Sequence, residues 1–226
     1  MTLSMVLAAV ALSGCAVTSQ LHSELNYDSA SEAALALADA GIGVLTPAAP
    51  TGQESDKQAL GDSLSAALQH SLGTTKVLGL PEMLSAINRA GLAASYAKIL
   101  VDYENTGILD RDTLRAIGDS SGVRYLAKLN LGNFNQSSDK RLAIAGIRMF
   151  DTWRATIRVH LEVWDSHTGE IAWQGNDELV YAREGVKERP VTFRQVADVA
   201  ARDLVDKVGT TGSDSLDQDP ETLAAR

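Results

Sequence analysis

The sequence predicts an α/β (α+β) fold: a mixed sheet of about five strands with crossover helices, a C-terminal antiparallel hairpin and a final packed helix. Three observations predict it. Strand-like and helix-like apolar periods alternate through the first half in the order β-α-β-α-α-α. A run of strict alternation, Ala155 to Val163, and a further strand, Ile171 to about Tyr181, flank the turn sequence Asp165-Ser166-His167-Thr168-Gly169. A last amphipathic stripe of Val196, Ala200, Leu204 and Val208 follows them.

The globular pattern opens with the short apolar strand Gly41-Ile42-Gly43-Val44-Leu45, stopped by Pro47 and Pro50. Leu60, Leu64, Leu68 and Leu72 recur at helical spacing, with Ser55 and Gln58 as a capping box and Gly73 as the stop. Lys76 to Leu80 forms a second strand. Pro81 suits the start of the next helix, which carries Leu84 and Ile87 and stops at Gly91. Tyr96, Ile99, Leu100 and Tyr103 mark a further amphipathic turn or two. Asp110 caps the following helix, Asp112 faces its positive dipole end, Leu109 staples to Leu114, and Gly122 closes it. Val123, Tyr125, Ala127, Leu129 and Leu131 alternate along a third strand. The fourth alternates from Ala155 to Val163, with Arg158, His160, Glu162 and Trp164 on its opposite face. Thr192 and Gln195 form a capping box for the last helix, Val191 staples to Val196, and Gly209 closes it.

Ahead of this pattern, Met1 to Gly14 holds no charged residue and no proline, and ends in Leu12-Ser13-Gly14-Cys15. It reads as a lipobox, in which the cysteine thiol takes diacylglycerol and the preceding peptide is removed. The apolar run is too short to cross a hydrocarbon core that needs about 20 residues, and it suits a signal-peptide core. Met1-Thr2-Leu3-Ser4 lacks the basic residues of an n-region, so either translation starts upstream or the signal is atypical. Cys15 is the only cysteine in the chain, which excludes an intrachain disulfide and a thiolate metal site. Two or more acyl chains hold a protein stably on a membrane. Ala16, rather than Asp, after the cysteine fits sorting to the outer membrane. The residues up to Ala40 read as a tether with some helical character, without the prolines of a stiff spacer.

The formal net charge of −9 argues against nucleic acid as a partner. It also argues against peripheral binding to anionic lipid, which leaves membrane attachment to the acylated Cys15. No cofactor or small-molecule substrate is evident. His22, His70, His160 and His167 lie on separate elements and do not pair at metal-ligand spacing. Asp102, Glu104, Asp110 and Asp112 lack the pattern of a Ca²⁺ loop, and helix capping accounts for the last two. Walker A, Gly-x-Ser-x-Gly, Gly-x-Gly-x-x-Gly and His-Glu-x-x-His motifs are absent. No enzyme is expected.

The lipobox, the opening Gly-Ile-Gly-Val-Leu strand, the run Gly122-Val123-Arg124-Tyr125-Leu126-Ala127-Lys128-Leu129 and the hairpin Leu161 to Trp173 together resemble one superfamily. It is the group of periplasmic domains similar to the TolB amino-terminal domain, the curli secretion lipoprotein CsgG and the penicillin-binding-protein activator LpoB. The resemblance spans roughly Gly41 to Val208 and implies this organisation: a lipoprotein signal peptide, 1–14; a lipidated tether, 15–40; a periplasmic domain, 41–208; and a disordered acidic tail, 209–226.

Between the third and fourth strands lies Asn130 to Trp153, polar at first and apolar from Leu142. A connection of this length is often functional. Two readings stand: a hairpin extension or short helix packed on the domain, or a partner or oligomer surface anchored by Phe134, Ile144, Ile147, Met149 and Phe150. Arg141 and Arg148 would add specificity to the second. The expected function is a non-catalytic, lipid-anchored outer-membrane lipoprotein on the periplasmic face that recruits or assembles an envelope complex, with an envelope protein or further copies of itself as partner. The resemblance implies two alternatives, a subunit of a curli-type secretion channel and an activator of a peptidoglycan synthase. An envelope hydrolase is the least supported reading.

Overall fold

A computed structural model describes residues 19–28, 40–50, 54–144, 147–185 and 191–210. Cys15, the segment read as a signal and residues 211–226 fall outside them, while Gly209 and Thr210, expected beyond the last helix, belong to it. Six strands form one sheet in the order β1-β6-β5-β4-β2-β3: β1 (Ser19–Asp28), β2 (Ile42–Val44), β3 (Val77–Leu78), β4 (Tyr125–Ile144), β5 (Ile147–Asp165) and β6 (Ile171–Gly185). The five described helices are α1 (Glu54–Ser71), α2 (Leu80–Arg89), α3 (Ala93–Thr106), α4 (Arg111–Ser121) and α5 (Phe193–Thr210).

β2 pairs in parallel with both β3 and β4, while β4, β5, β6 and β1 are antiparallel neighbours. Parallel pairing demands crossovers, and the helices supply them. Their apolar stripes settle which face each one covers. α1 offers Leu60, Leu64 and Leu68 and α5 offers Val196, Ala200, Leu204 and Val208, all buried against Ala127, Leu129, Ile157, Val159, Leu161 and Val163. On the opposite face Met83 and Ile87 of α2, Tyr96 and Ile99 of α3 and Leu114 and Ile117 of α4 gather on Leu126 and Trp164. The alternation in the strands thus feeds two cores at once, because successive side chains leave a strand on opposite faces.

The mixed sheet, the crossovers, the C-terminal hairpin and the packed final helix follow the sequence-based expectation. Caps hold as read at two helices. Asp110 accepts from the Thr113 backbone N–H (2.9 Å), and at α5 the Thr192 N–H donates to Gln195 Oε1 (2.9 Å) while the Gln195 N–H donates to Thr192 Oγ1 (3.3 Å). At α1 the helix already begins at Glu54, so Ser55 lies inside its first turn rather than at the cap.

Two differences enlarge the sheet. Within the stretch read as tether, Ser19–Asp28 pair residue for residue with Arg183 through Gln174 of β6. Leu21, Ser23, Leu25 and Tyr27 share one face, where Ser23 reaches Asp177, Leu25 packs against the core and Tyr27 stacks on Trp173 at 6.4 Å, although Leu21 and Tyr27 stay about half exposed. Between the third and fourth strands no independent loop intervenes. β4 and β5 remain paired from Tyr125–Asp165 to Ile144–Ile147, with a bulge between Leu131 and Asn133. The bulge keeps Phe134 on the same face as Leu131, and there its ring meets Phe193 edge-on at 4.9 Å. Gln136 donates to the Val191 carbonyl just ahead of α5, and Trp153, opposite Ser138, packs against the same core.

The turn between β5 and β6 is fixed by Asp165. Its Oδ2 accepts from Arg124 Nε (3.0 Å) and Nη2 (2.6 Å), and its Oδ1 accepts from the His167 N–H (2.9 Å). Gly169 then turns at φ +77°, and a Cβ there would stand 2.8 Å from Cβ and Cγ of Arg111 at the start of α4. Gly169→Val is therefore expected to lower unfolding free energy by about 1–3 kcal/mol, since both the left-handed backbone and the contact oppose it. Urea melts of the mutant and wild-type domain check this.

Candidate functional site

Two buried polar clusters and one open ribbon are the features from which function can be built. The first cluster lies on the α3 side of the sheet, where β4 and β5 present Lys128, Asn130, His160, Glu162 and Trp164 in alternating register. Glu162 is its hub: Tyr103 Oη donates to Oε2 (2.9 Å), Trp164 Nε1 donates to Oε2 (2.9 Å), and His160 Nε2 lies 3.1 Å from Oε1. Asn130 Nδ2 donates to Tyr103 Oη (2.7 Å). The Lys128 ammonium donates to the Thr46 carbonyl (3.0 Å) and sits 4.6 Å from the centroid of the Tyr103 ring.

Burial sets the ionisation of this group. Lys128 is only 2% exposed, and desolvation pulls its pKa down to about 8, opposed in part by the charges of Glu162 and Glu104. Burial pushes the Tyr103 hydroxyl up, and the Glu162 charge beside it adds to that. Burial also works against the Glu162 charge, yet the hydrogen bonds from His160, Trp164 and Tyr103 together hold its carboxyl below the usual range. The same contact raises the His160 pKa. A lysine with a depressed pKa is the sort of amine that carries out covalent chemistry. Here it is enclosed, engaged by a carbonyl and a ring, and the cluster joins α3 to the sheet.

The second cluster lies on the opposite face, between the edge strand β1, β6 and α5. Asp177 is fully buried and accepts from Ser23 Oγ at 2.7 Å, while its Oδ2 has no hydrogen-bond partner. Burial raises its pKa to about 6, Ser23 opposes the shift, and the charge of Asp203 on α5 adds to it. Burial likewise raises Asp203. Sequence reading missed this pair. The signal was present: Asp177 holds the core-facing parity of Trp173, Gly175 and Leu179 along β6.

The ribbon is the remaining feature. β2 accompanies β4 only over Tyr125, Leu126 and Ala127, and the last contact on that side is the Leu131 N–H donating to the Ala48 carbonyl (2.8 Å). From Gly132 to Ile144, β4 pairs with β5 alone among the described residues. Of the surface residues expected from sequence, Phe134 is partly buried against the core beside Phe193. Ile144, Ile147, Met149 and Phe150 occupy strand positions at the hairpin end, and their side chains lie outside the described residues, as does Cys15. Among the described residues, no group of three or more His, Cys, Asp or Glu is placed to hold a metal ion. No described helix is long and apolar enough to cross a membrane.

The buried Asp177 has a measurable consequence. Its carboxyl binds a proton more tightly in the folded state (about 6) than the ordinary carboxylate value of 3.8. Folding stability therefore rises as pH falls through about 6, and this contribution is complete below about 4. Asp177→Asn keeps an acceptor for Ser23 without the charge, and it is expected to be more stable than wild type by about 1–2 kcal/mol at pH 8, with the gap closing toward pH 5. Denaturant melts of both proteins across that range check the sign.

No known protein-family profile matches the chain, and no curated protein matches it in sequence. Solved structures do. The chain is similar to the PelC dodecamer from Paraburkholderia phytofirmans at 14% identity, over 83% of this chain and 98% of that one, with a TM-score of 0.48. It is similar to the LpoB C-terminal domain from Salmonella enterica at 14% identity, over 65% of this chain and 87% of that one, with a TM-score of 0.38. A lipoprotein from Neisseria meningitidis is similar at 15% identity, over 76% of this chain and 99% of that one, with a TM-score of 0.36.

Proposed function

We propose that this protein is a non-catalytic lipoprotein of the outer membrane, anchored through acylated Cys15, whose periplasmic domain recruits or assembles an envelope complex. The observation that carries the reading is the one-sided pairing of β4. Past Leu131 its outer backbone groups face no strand among the described residues, over thirteen positions up to Ile144. An open edge of that length is a template on which another chain adds a strand, by main-chain hydrogen bonds that depend little on side-chain identity. β1 offers a second open edge at the far side of the sheet. The partner is an envelope protein or a further copy of this chain.

The polar clusters support the non-catalytic part of the reading. Glu162 takes hydrogen bonds from Tyr103, His160 and Trp164, and Lys128 gives one to Thr46, which ties these ionisable groups into the packing of α3 on the sheet. The lipobox supports the anchoring. Only Ala16, Val17 and Thr18 stand between Cys15 and the first residue of β1, so the domain is tied close to the membrane.

Two experiments test the reading. Cys15→Ser is expected to abolish incorporation of a clickable fatty acid and to release the protein from the membrane fraction; unchanged labelling and sedimentation would end the lipoprotein assignment. For the edge, the main chain of Leu131 points away from β5, and past the bulge Ser138 keeps the same parity. Ser138→Pro removes one outward N–H from an edge strand, where proline is tolerated. Its melting temperature is expected to stay within a few degrees of wild type while crosslinked partner or oligomer bands from intact cells fall several-fold. Bands of wild-type intensity would remove this edge as the recruiting surface.

A further inference from the structure

The strand register relates the anchor to the hairpin end. Ser19 lies opposite Arg183, Arg183 opposite Trp153, and Trp153 opposite Ser138, so β1 begins level with Ser138 of β4. β1 runs from that level toward the helical body, which leaves its N-terminus facing the same way as the closed end of the β4–β5 hairpin. From Ser138 onward, Asp139 to Ile144 carry β4 a further six residues, about 20 Å at strand rise. The three residues between Cys15 and Ser19 allow at most about 14 Å. With the strands along the membrane normal, the hairpin end meets the bilayer before the tether is taut; with the strands flat, it rests on the surface.

Composition changes along the same stretch. Asp139 and Asp151 are the last acidic residues, and Lys140 stands opposite Asp151. Beyond them the two strands hold Arg141 and Arg148 as their only charges, among Leu142, Ala143, Ile144, Ile147, Met149 and Phe150. In a chain of net charge −9 this end carries two arginines among apolar residues and no acid. Such a combination matches anionic headgroups over acyl chains. The stretch just before it, Asn133 to Ser138, carries Asn133, Asn135 and Ser137 on one face and Gln136 and Ser138 on the other. A hairpin with open edges and polar residues on both faces does not cross hydrocarbon. Only the last four residues of each strand, Arg141–Ile144 and Ile147–Phe150, suit a shallow seat at that boundary.

We propose that the closed end of the hairpin, Arg141–Ile144 with Ile147–Phe150, seats in the boundary between headgroups and acyl chains of the bilayer that holds Cys15. The proposal rests on the acylated Cys15 proposed above. It makes the ribbon a second, shallow membrane contact that fixes how the domain stands on the surface.

The test uses the full-length lipidated protein in vesicles of phosphatidylethanolamine and phosphatidylglycerol. Acylation consumes the only native thiol, so Ile144→Cys, and separately Ile147→Cys, each provides a unique site for an environment-sensitive fluorophore. Ala66→Cys, at an exposed position on α1, is the reference. At the hairpin positions emission is expected to be blue-shifted and quenched by lipids bearing a nitroxide near the top of the acyl chain; at the reference position it is expected to show neither effect. Emission at both hairpin positions like the reference overturns the proposal. So does a blue shift without lipid quenching, which would mean that a second copy or a protein covers the end. The intact mass of the same sample separates the two assignments. A mass without acyl groups overturns the anchor and the seating with it, whereas an acylated chain with solvent-like emission overturns the seating alone.

Discussion

The ladder between β4 and β5 is the constraint on which the rest of the molecule depends. It runs unbroken, apart from one bulge, from the turn at Asp165 to the closed end at Ile147, and every other element is placed by reference to it. One face of its inner half receives α1 and α5, the other receives α2, α3 and α4, and its outer half continues beyond both layers. Each fully buried Val, Leu or Ile contributes about 1.5–3 kcal/mol relative to exposure, and most of those in the sheet stand on these two strands. The inner half is thus stabilised enough to carry the extension.

Burying charged groups beside such a ladder is costly unless they are paired. The two faces meet that cost differently. On the α3 side, Glu162 collects donors from three residues, and Lys128 finds a carbonyl and an aromatic face, so the group is held by mutual hydrogen bonds. On the α5 side, Asp177 has Ser23 but faces Asp203, and burial raises its pKa to about 6. Because Ser23 lies on β1, docking of the edge strand and protonation of Asp177 share one hydrogen bond. The strand nearest to Cys15 is therefore joined to the sheet through its least comfortable buried charge.

Charge also divides the molecule on a larger scale. The chain is acidic overall, which disfavours general attraction to an anionic surface, yet Arg141 and Arg148 stand beyond the last acids of the hairpin. Global net charge governs encounter at a distance. Contact at a membrane is decided within about a Debye length, where only the local residues count.

The sequence by itself determined the class of fold, the order of the elements from Gly41 onward, two helix caps and the turn at Gly169, because these depend on period, capping chemistry and backbone freedom, which are local. Half of the Glu162 cluster was legible as the opposite face of an alternating strand, His160, Glu162 and Trp164. Its other members, Tyr103, Asn130 and Lys128, arrive from a helix and a neighbouring strand and meet only on folding. Tertiary structure alone decided that Ser19–Asp28 is a strand, since the strand that completes its hydrogen bonds, β6, lies far along the chain, and that Asn130 to Trp153 prolongs a hairpin. Strand pairing is a relation between distant segments, and a polar segment carries little record of the partner whose backbone it will meet.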